Sequence, residues 1–206
     1  NNSCLYYMSL FTGDWKKDQD IMVKELDKID FYSGTERRKM LKVPRKVGGS
    51  MLYGLTWRSW LSPTKTRTYD PITGLYFTKV VDDHPELKDI FKDFASHHFP
   101  DFQYTQTQMN KNFPCPPHTD STNIGERLLC VFGDFPDKQG LTCVKMENGL
   151  TVKLDGRVEP VIFDGSKYEH WVEPYDTGTR YSLVFFNNKL LNKKIKQHQE
   201  KSNTNL

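Results

Sequence analysis

Cysteine is scarce in this chain: 206 residues carry four, Cys4, Cys115, Cys130 and Cys143, with no Cys-x-x-Cys spacing among them. That excludes a disulfide scaffold and makes a thiolate zinc site unattractive, so reduced thiols are the expectation. No uninterrupted apolar run approaches the ~20 residues a membrane span needs. The first residues also lack the basic, apolar and small-residue order of a secretory signal. A soluble intracellular protein of nucleus or cytoplasm, without a membrane partner, is expected. Acidic residues are missing from positions 37 to 69, where nine Lys or Arg stand: Arg37, Arg38, Lys39, Lys42, Arg45, Lys46, Arg58, Lys65 and Arg67. Since the whole chain carries only +3, the remainder is acidic. A basic field on an otherwise acidic protein suits steering of an anionic partner.

What is present is enough for one substantial core: 36% hydrophobic residues in a chain of this length. Apolar positions 15, 22, 26 and 29 behind Asp14 predict a helix over 15–29. A second helix is expected over Pro85–His97, with Pro85 in its first turn and Leu87, Ile90, Phe91 and Phe94 on one face. Residues 33–50 read as irregular or hairpin-connected, and 51–60 as strand or loop. From Phe102 the pattern changes to short strands over 104–111, 127–133, 141–145, 149–154, 158–163, 170–173 and 180–186. Asn148-Gly149 and Asp155-Gly156 supply turns between them. Helices followed by evenly spaced strands predict a mainly β (α+β) domain over 1–187: a helical, basic part (1–100) and a jelly-roll, cupin-like double-stranded β-helix core (101–187). Residues 188–206 read as a polar basic tail that frays, with a helical cap at 190–197 as the other reading.

Within the strand region four residues stand in a chemically meaningful order. His118 and Asp120 are two apart, so in extended backbone both side chains point to one face. His170 follows 50 residues after the Asp, and Arg180 ten residues beyond that. Two imidazoles and one carboxylate cap one face of an iron(II) ion and leave the opposite positions open for a cosubstrate and oxygen. Arg180 and Ser182 share a face of the last strand and suit a carboxylate, the guanidinium in bidentate fashion. Asn110, on the preceding strand, is a further candidate for that cosubstrate, or a residue of turn or ladder. Cys115 reads as a partly buried small residue. His97 and His98 point apart and read as surface or helix-end residues. Asp164-Gly165 makes the turn that aims His170, and Lys167, Tyr168 and Trp171 stand at the mouth.

Together, His118-Thr119-Asp120, His170 and Arg180-Tyr181-Ser182 resemble the iron(II) and 2-oxoglutarate dependent dioxygenases over residues 100–187. The resemblance implies a double-stranded β-helix, with 2-oxoglutarate decarboxylated to succinate as the substrate is hydroxylated. The run Met109–Gly125, with Asn110-Lys111-Asn112-Phe113 and Cys115-Pro116-Pro117-His118, and the strand end Gly133-Asp134-Phe135, look like the TET/JBP branch. That branch oxidises the methyl group of 5-methylpyrimidines in nucleic acid. The Gly-Gly usual after that strand end is replaced here by Pro136–Gly140. A relative using ascorbate in place of 2-oxoglutarate leaves ascorbate open as a cosubstrate. Trp57 and Arg58 in the basic segment, with Asn123 and Lys167, are the candidate substrate contacts. Tyr53, Trp60 and Tyr69 stand among the same charges, to stack on an extruded base or to fill core. DNA is the expected partner ahead of RNA. The alternatives are a hydroxylase of a protein side chain, such as proline, or of a small molecule on the same centre, and an inert nucleic-acid-binding relative.

Overall fold

The structure is a computed structural model that describes residues 8–42 and 48–204, with residues 35 and 36 as backbone only. Cys4, Arg45 and Lys46 lie outside the described residues. In chain order the elements are α1 (Trp15–Leu26), α2 (Thr35–Leu41), β1 (Gly49–Thr56), β2 (Trp60–Ser62), β3 (Lys65–Thr66), β4 (Tyr69–Asp70), β5 (Leu75–Phe77), α3 (Lys79–Asp83) and α4 (Leu87–His98). The strand-rich part follows as β6 (Gln106–Lys111), β7 (Asn123–Gly133), β8 (Thr142–Lys145), β9 (Thr151–Leu154), β10 (Val161–Phe163), β11 (His170–Val172) and β12 (Arg180–Asn188). A closing helix, α5 (Lys189–Thr204), continues directly from β12.

Two antiparallel sheets form the frame. The larger has seven strands in the order β10-β7-β12-β6-β1-β5-β4, and the smaller has three in the order β11-β8-β9. The expected mainly β jelly-roll architecture with flanking helices is what the chain adopts. The N-terminal part contributes strands as well as helices, since β1 pairs with β6 along six residues from Gly49↔Lys111 to Gly54↔Gln106. One continuous sheet therefore crosses the change of composition near residue 100.

Side-chain alternation on the central strands divides the larger sheet into two faces. On β12, Tyr181, Leu183 and Phe185 join Leu128, Cys130 and Phe132 of β7 in the main core. Helices α1 and α4 cover that face with Met22, Leu26, Leu87, Phe91 and Phe94, each 2% exposed or less. Burying each such side chain stabilises by roughly 1.5–3 kcal/mol. Ring contacts tie the layers, with Phe94 edge-on to Phe132 at 5.8 Å and Phe91 edge-on to Phe185 at 6.2 Å. The opposite parity, Arg180, Ser182, Val184 and Phe186, faces the smaller sheet across a cavity.

Several expectations are corrected here. Residues 33–50 hold a short helix, α2, which lacks a side-chain cap at Gly34. The first long helix ends at Leu26, three residues early, and Pro85 precedes α4 by two residues. The tail takes the helical reading and extends it beyond 190–197. It is a 16-residue helix anchored by fully buried Leu191 and by Lys189 donating from its backbone N to Thr122 O and from Nζ to Ser121 O. Tyr53 takes the core role: it is 5% exposed and donates to His84 O. Among the described residues no helix is long and apolar enough to cross a membrane.

His98 closes α4, as the helix-end reading had it, but it is no surface residue. Its side chain is 6% exposed and its Nε2 lies 2.8 Å from Oδ2 of fully buried Asp18 on α1. Asp18 further accepts from Thr12 N, Thr12 Oγ1 and Gly13 N, which staples the chain entry to α1 and α4. Burial alone would raise its pKa, but the Thr12, Gly13 and His98 contacts outweigh it and hold the carboxyl below its ordinary value. A depressed folded-state pKa stabilises at pH above the unfolded value of ~3.9, and the gain disappears as pH falls through the folded value. Asp18→Asn is expected to cost roughly 1.5–3 kcal/mol at neutral pH. Urea unfolding at pH 7 should show that loss, and the gap to wild type should shrink as the medium is acidified towards pH 3.

Candidate metal and cosubstrate site

Segment 115–118 reaches the smaller sheet as an extra extended strand. Its His118 pairs with His170 of β11 in an antiparallel bridge, each backbone N–H donating to the other's carbonyl at 3.1 and 2.9 Å. Two residues far apart in sequence thereby become direct cross-strand neighbours, with ring centroids 4.3 Å apart. Asp120 is fixed by its backbone N–H donating to Gly165 O at 2.9 Å. The Asp164-Gly165 turn itself is held by Asp164 Oδ1, which accepts from Ser166 N and Lys167 N.

The two imidazoles are oriented alike. Nδ1 of His118 stands 2.8 Å from Pro116 O and Nδ1 of His170 stands 3.0 Å from Tyr168 O, so both backbone carbonyls take the Nδ1 proton. That tautomer leaves Nε2 with its lone pair towards Asp120, the outer-shell arrangement metal-binding histidines use. Burial first, and then the charge of His170, lower the His118 pKa, which favours the neutral ligand form. For Asp120 burial opposes ionisation, but the neighbouring His170 and Arg127 side chains prevail and hold the carboxyl far below its usual range. The ligand atoms of the three residues all lie within 4.8 Å of one another. His118 Nε2 is 3.7 Å from Asp120 Oδ1, and His170 Nε2 is 3.6 Å from Oδ2. Donors ~2.1 Å from one ion at right angles stand ~3 Å apart. The donor set therefore fits a divalent ion held by Asp120 Oδ1, with less than an ångström of closure between that oxygen and His118 Nε2.

Arg127, on β7, is the residue the sequence reading missed. Its side chain is 7% exposed, with Nη2 2.6 Å from Asp120 Oδ2 and Nη1 3.1 Å from His170 Nε2. Apart from that ionic contact, Nη2, like Nε, has no hydrogen-bond partner among the described residues. The guanidinium and a metal ion compete for the same Nε2 lone pair. By contrast, the contact to Oδ2 leaves Oδ1 for the metal. One signal pointed to it: in Arg127-Leu128-Leu129-Cys130-Val131, an arginine opens an apolar strand at the parity of the cavity face. Gly165 makes room for it, since a Cβ there would stand 2.1 Å from Arg127 Cζ. Gly165→Ala is expected to push the guanidinium off Asp120 and to cost ~1–3 kcal/mol. Thermal unfolding checks the cost. A spectroscopic titration with cobalt(II) checks whether Asp120 is left misplaced.

At the other end of the same face, Arg180 is 5% exposed. Nε donates to Gly140 O at 2.9 Å, and Nη2 lies 3.5 Å from Thr142 Oγ1. Among the described residues no carboxylate forms an ion pair with it. Burial pulls its pKa down to about 10, so it stays charged at neutral pH. Ser182 is buried beside it, and its Oγ accepts from Asn110 Nδ2 at 3.1 Å. Asn110 Oδ1 in turn accepts from Ser50 Oγ at 2.7 Å. The Asn110 amide is thus engaged with Ser182, while the Ser182 hydroxyl proton remains to be donated.

These groups line one cavity of about 290 Å³ between the two sheets, reached by the triad, Arg127, Arg180, Ser182 and Asn110. Of the proposed substrate contacts, Trp57 and Asn123 line it, and Trp171 does too. Arg58 and Lys167 do not; Lys167 pairs with Glu147 at 2.6 Å and lies over the Tyr168 ring. Trp60 and Tyr69 are 61% and 48% exposed and stand outside the cavity. Cys115 lines it, its Sγ 3.7 Å from His118 Nδ1. Burial raises its thiol pKa to about 11, so it stays protonated. It and the buried Cys130 and Cys143 are free thiols.

No protein-family model matches the sequence, and no curated protein matches it. Among solved structures, the chain is similar to NgTET1 in complex with 5mC DNA at 19% identity and a TM-score of 0.46, covering 82% of this chain and 68% of that one. It is also similar to a prolyl-4-hydroxylase from Pseudomonas putida, at 11% identity and a TM-score of 0.43 over 88% of this chain and 90% of that one. A Burkholderia pseudomallei oxidoreductase of the 2OG-Fe(II) oxygenase family aligns at 15% identity and a TM-score of 0.44, over 74% and 76% of the two chains.

Proposed function

We propose that this chain is an iron(II) and 2-oxoglutarate dependent dioxygenase that hydroxylates the methyl group of a 5-methylpyrimidine in nucleic acid. The observation that carries the chemistry is the clustering of His118, Asp120 and His170 in a single cavity with a buried Arg180 that pairs with no carboxylate among the described residues. Iron(II), when bound, supplies oxygen activation coupled to oxidative decarboxylation of 2-oxoglutarate. The balance is methyl substrate, oxygen and 2-oxoglutarate going to hydroxymethyl product, succinate and carbon dioxide.

The residues do the positioning. Arg180 grips the distal carboxylate of 2-oxoglutarate, and the Ser182 hydroxyl donates to the same group. The Asn110 amide holds Ser182 in place for it. Asp120 keeps one oxygen for the metal because Arg127 holds the other. Leu129, Val184 and Phe186 line the wall between the two arginines and exclude water. Trp57 at the rim and buried Asn123 in the cavity wall support the nucleic-acid reading, one by its flat face and the other by its amide. The test is anaerobic reconstitution with iron(II) and 2-oxoglutarate, admission of oxygen, and mass spectrometry of digested methylated DNA and RNA. Succinate formed without any oxidised base would remove the nucleic-acid assignment and point to a protein or small-molecule hydroxylase. Succinate absent under all conditions would remove the dioxygenase assignment itself.

A further inference from the structure

Three guanidiniums line the cavity, and the chemistry above occupies two of them. The third belongs to Arg37 on α2. Its Nε is buried without a hydrogen-bond partner among the described residues. Its charge acts on the Cys115 thiol, as those of Arg180 and Arg127 do, and on the His118 imidazole. Arg37 shares its cavity with the triad. Met40, one turn further along α2, and Trp57 line the same cavity and are 62% and 45% exposed, so Arg37 stands at the mouth beside a flat ring and a thioether.

Charge decides what must enter. The charged lining residues are Arg37, Arg127 and Arg180 against Asp120 alone, a surplus of two positive charges. A divalent ion adds two, and dianionic 2-oxoglutarate removes two. The surplus remains, and unpaired charge taken out of water is costly. A neutral prolyl or alkyl substrate leaves it in place, whereas an anionic substrate neutralises it. We propose that Arg37 is a substrate-phosphate subsite, gripping a phosphodiester beside the nucleotide whose base rests on Trp57. The charge argument asks only for an anion; the commitment to phosphate rests on the nucleic-acid reading and on the aromatic rim, which suits a base.

The experiment is calorimetric binding to the anaerobic holoenzyme with iron(II) and 2-oxoglutarate. The ligands are a trinucleotide centred on 5-methyldeoxycytidine and its uncharged methylphosphonate counterpart. The phosphodiester is expected to bind roughly 10- to 100-fold tighter, as a charge-assisted contact implies. Arg37→Gln should remove that difference without altering methylphosphonate binding, and Arg37→Lys should keep part of it, since the charge survives without the fork. Thermal unfolding confirms that both variants are folded. Equal wild-type affinity for the two backbones, or a Gln variant that weakens both alike, would overturn the subsite and leave the base reading standing. If neither trinucleotide binds but a glutamate-rich peptide binds through Arg37, both the phosphate subsite and the nucleic-acid reading fall. If none of the three ligands binds, the subsite falls too.

Discussion

Asp120→Ala should abolish turnover and weaken iron(II) or cobalt(II) binding by more than the ~10- to 100-fold that loss of an outer-shell partner costs. Asp120 is the one carboxylate of the triad. The same substitution should also destabilise the metal-free protein, for a separate reason. Arg127 is nearly inaccessible and draws its ionic contact from Asp120 Oδ2 at 2.6 Å. Removing the partner leaves a buried cation alone, which costs ~3–5 kcal/mol. The two effects separate in a double variant. Asp120→Ala with Arg127→Met should recover most of the stability in urea while metal binding and succinate formation stay lost. If the double variant binds metal like wild type, Asp120 is no ligand. If it is as unstable as the single variant, the ion pair is not what Asp120 contributes to the fold.

Arg180→Met should raise the KM for 2-oxoglutarate by roughly 30- to 5,000-fold, the equivalent of the ~2–5 kcal/mol lost when one partner of a buried charge pair is truncated. Its effect on stability should be smaller than the ~3–5 kcal/mol cost of breaking a buried ion pair, because no carboxylate among the described residues pairs with Arg180. Arg180→Lys keeps the charge without the fork and should fall between the two in KM. Initial rates across a 2-oxoglutarate series, with unfolding curves for each variant, test both halves. A KM unchanged in the Met variant, or a Met variant that does not fold, would make Arg180 a structural arginine.

The order of His118, Asp120, His170 and Arg180 was legible in the sequence because metal ligands are scarce residue types and strand alternation sets which of them share a face. Strands β6 to β12 were legible for a similar reason, as apolar alternation between Asn-Gly and Asp-Gly turns. Short or polar elements were not. Helix α2 has seven residues and no side-chain cap, and α5 is lysine-rich with one fully buried anchor, Leu191. Tertiary contacts create both helices, and local sequence carries little of them. Arg127 escaped for a different reason. Its partner, Asp120, lies across a cavity that exists only once β7 and the 115–120 segment are folded together. His98 likewise acquires its meaning from Asp18, on a different helix. Polar residues whose partner comes from another element leave no periodic trace.

Strand β12 behaves like a reading frame with a step of two. Read in one phase, from Arg180 through Ser182, Val184 and Phe186, it spells the wall of the cavity. Read in the other, through Tyr181, Leu183 and Phe185, it spells the centre of the core. One residue inserted or deleted within that stretch would exchange the two messages, thrusting a guanidinium and a hydroxyl at Phe91 and Phe132 and turning aromatic rings upon His118, Asp120 and His170. A change of two residues would keep the phase and shift only the positions of the guanidinium and hydroxyl along the wall. Length variation in this strand is therefore a frameshift in miniature. The one irregularity in its pairing with β7, a register shift between Phe185 and Asn187, falls at the last residues of both messages.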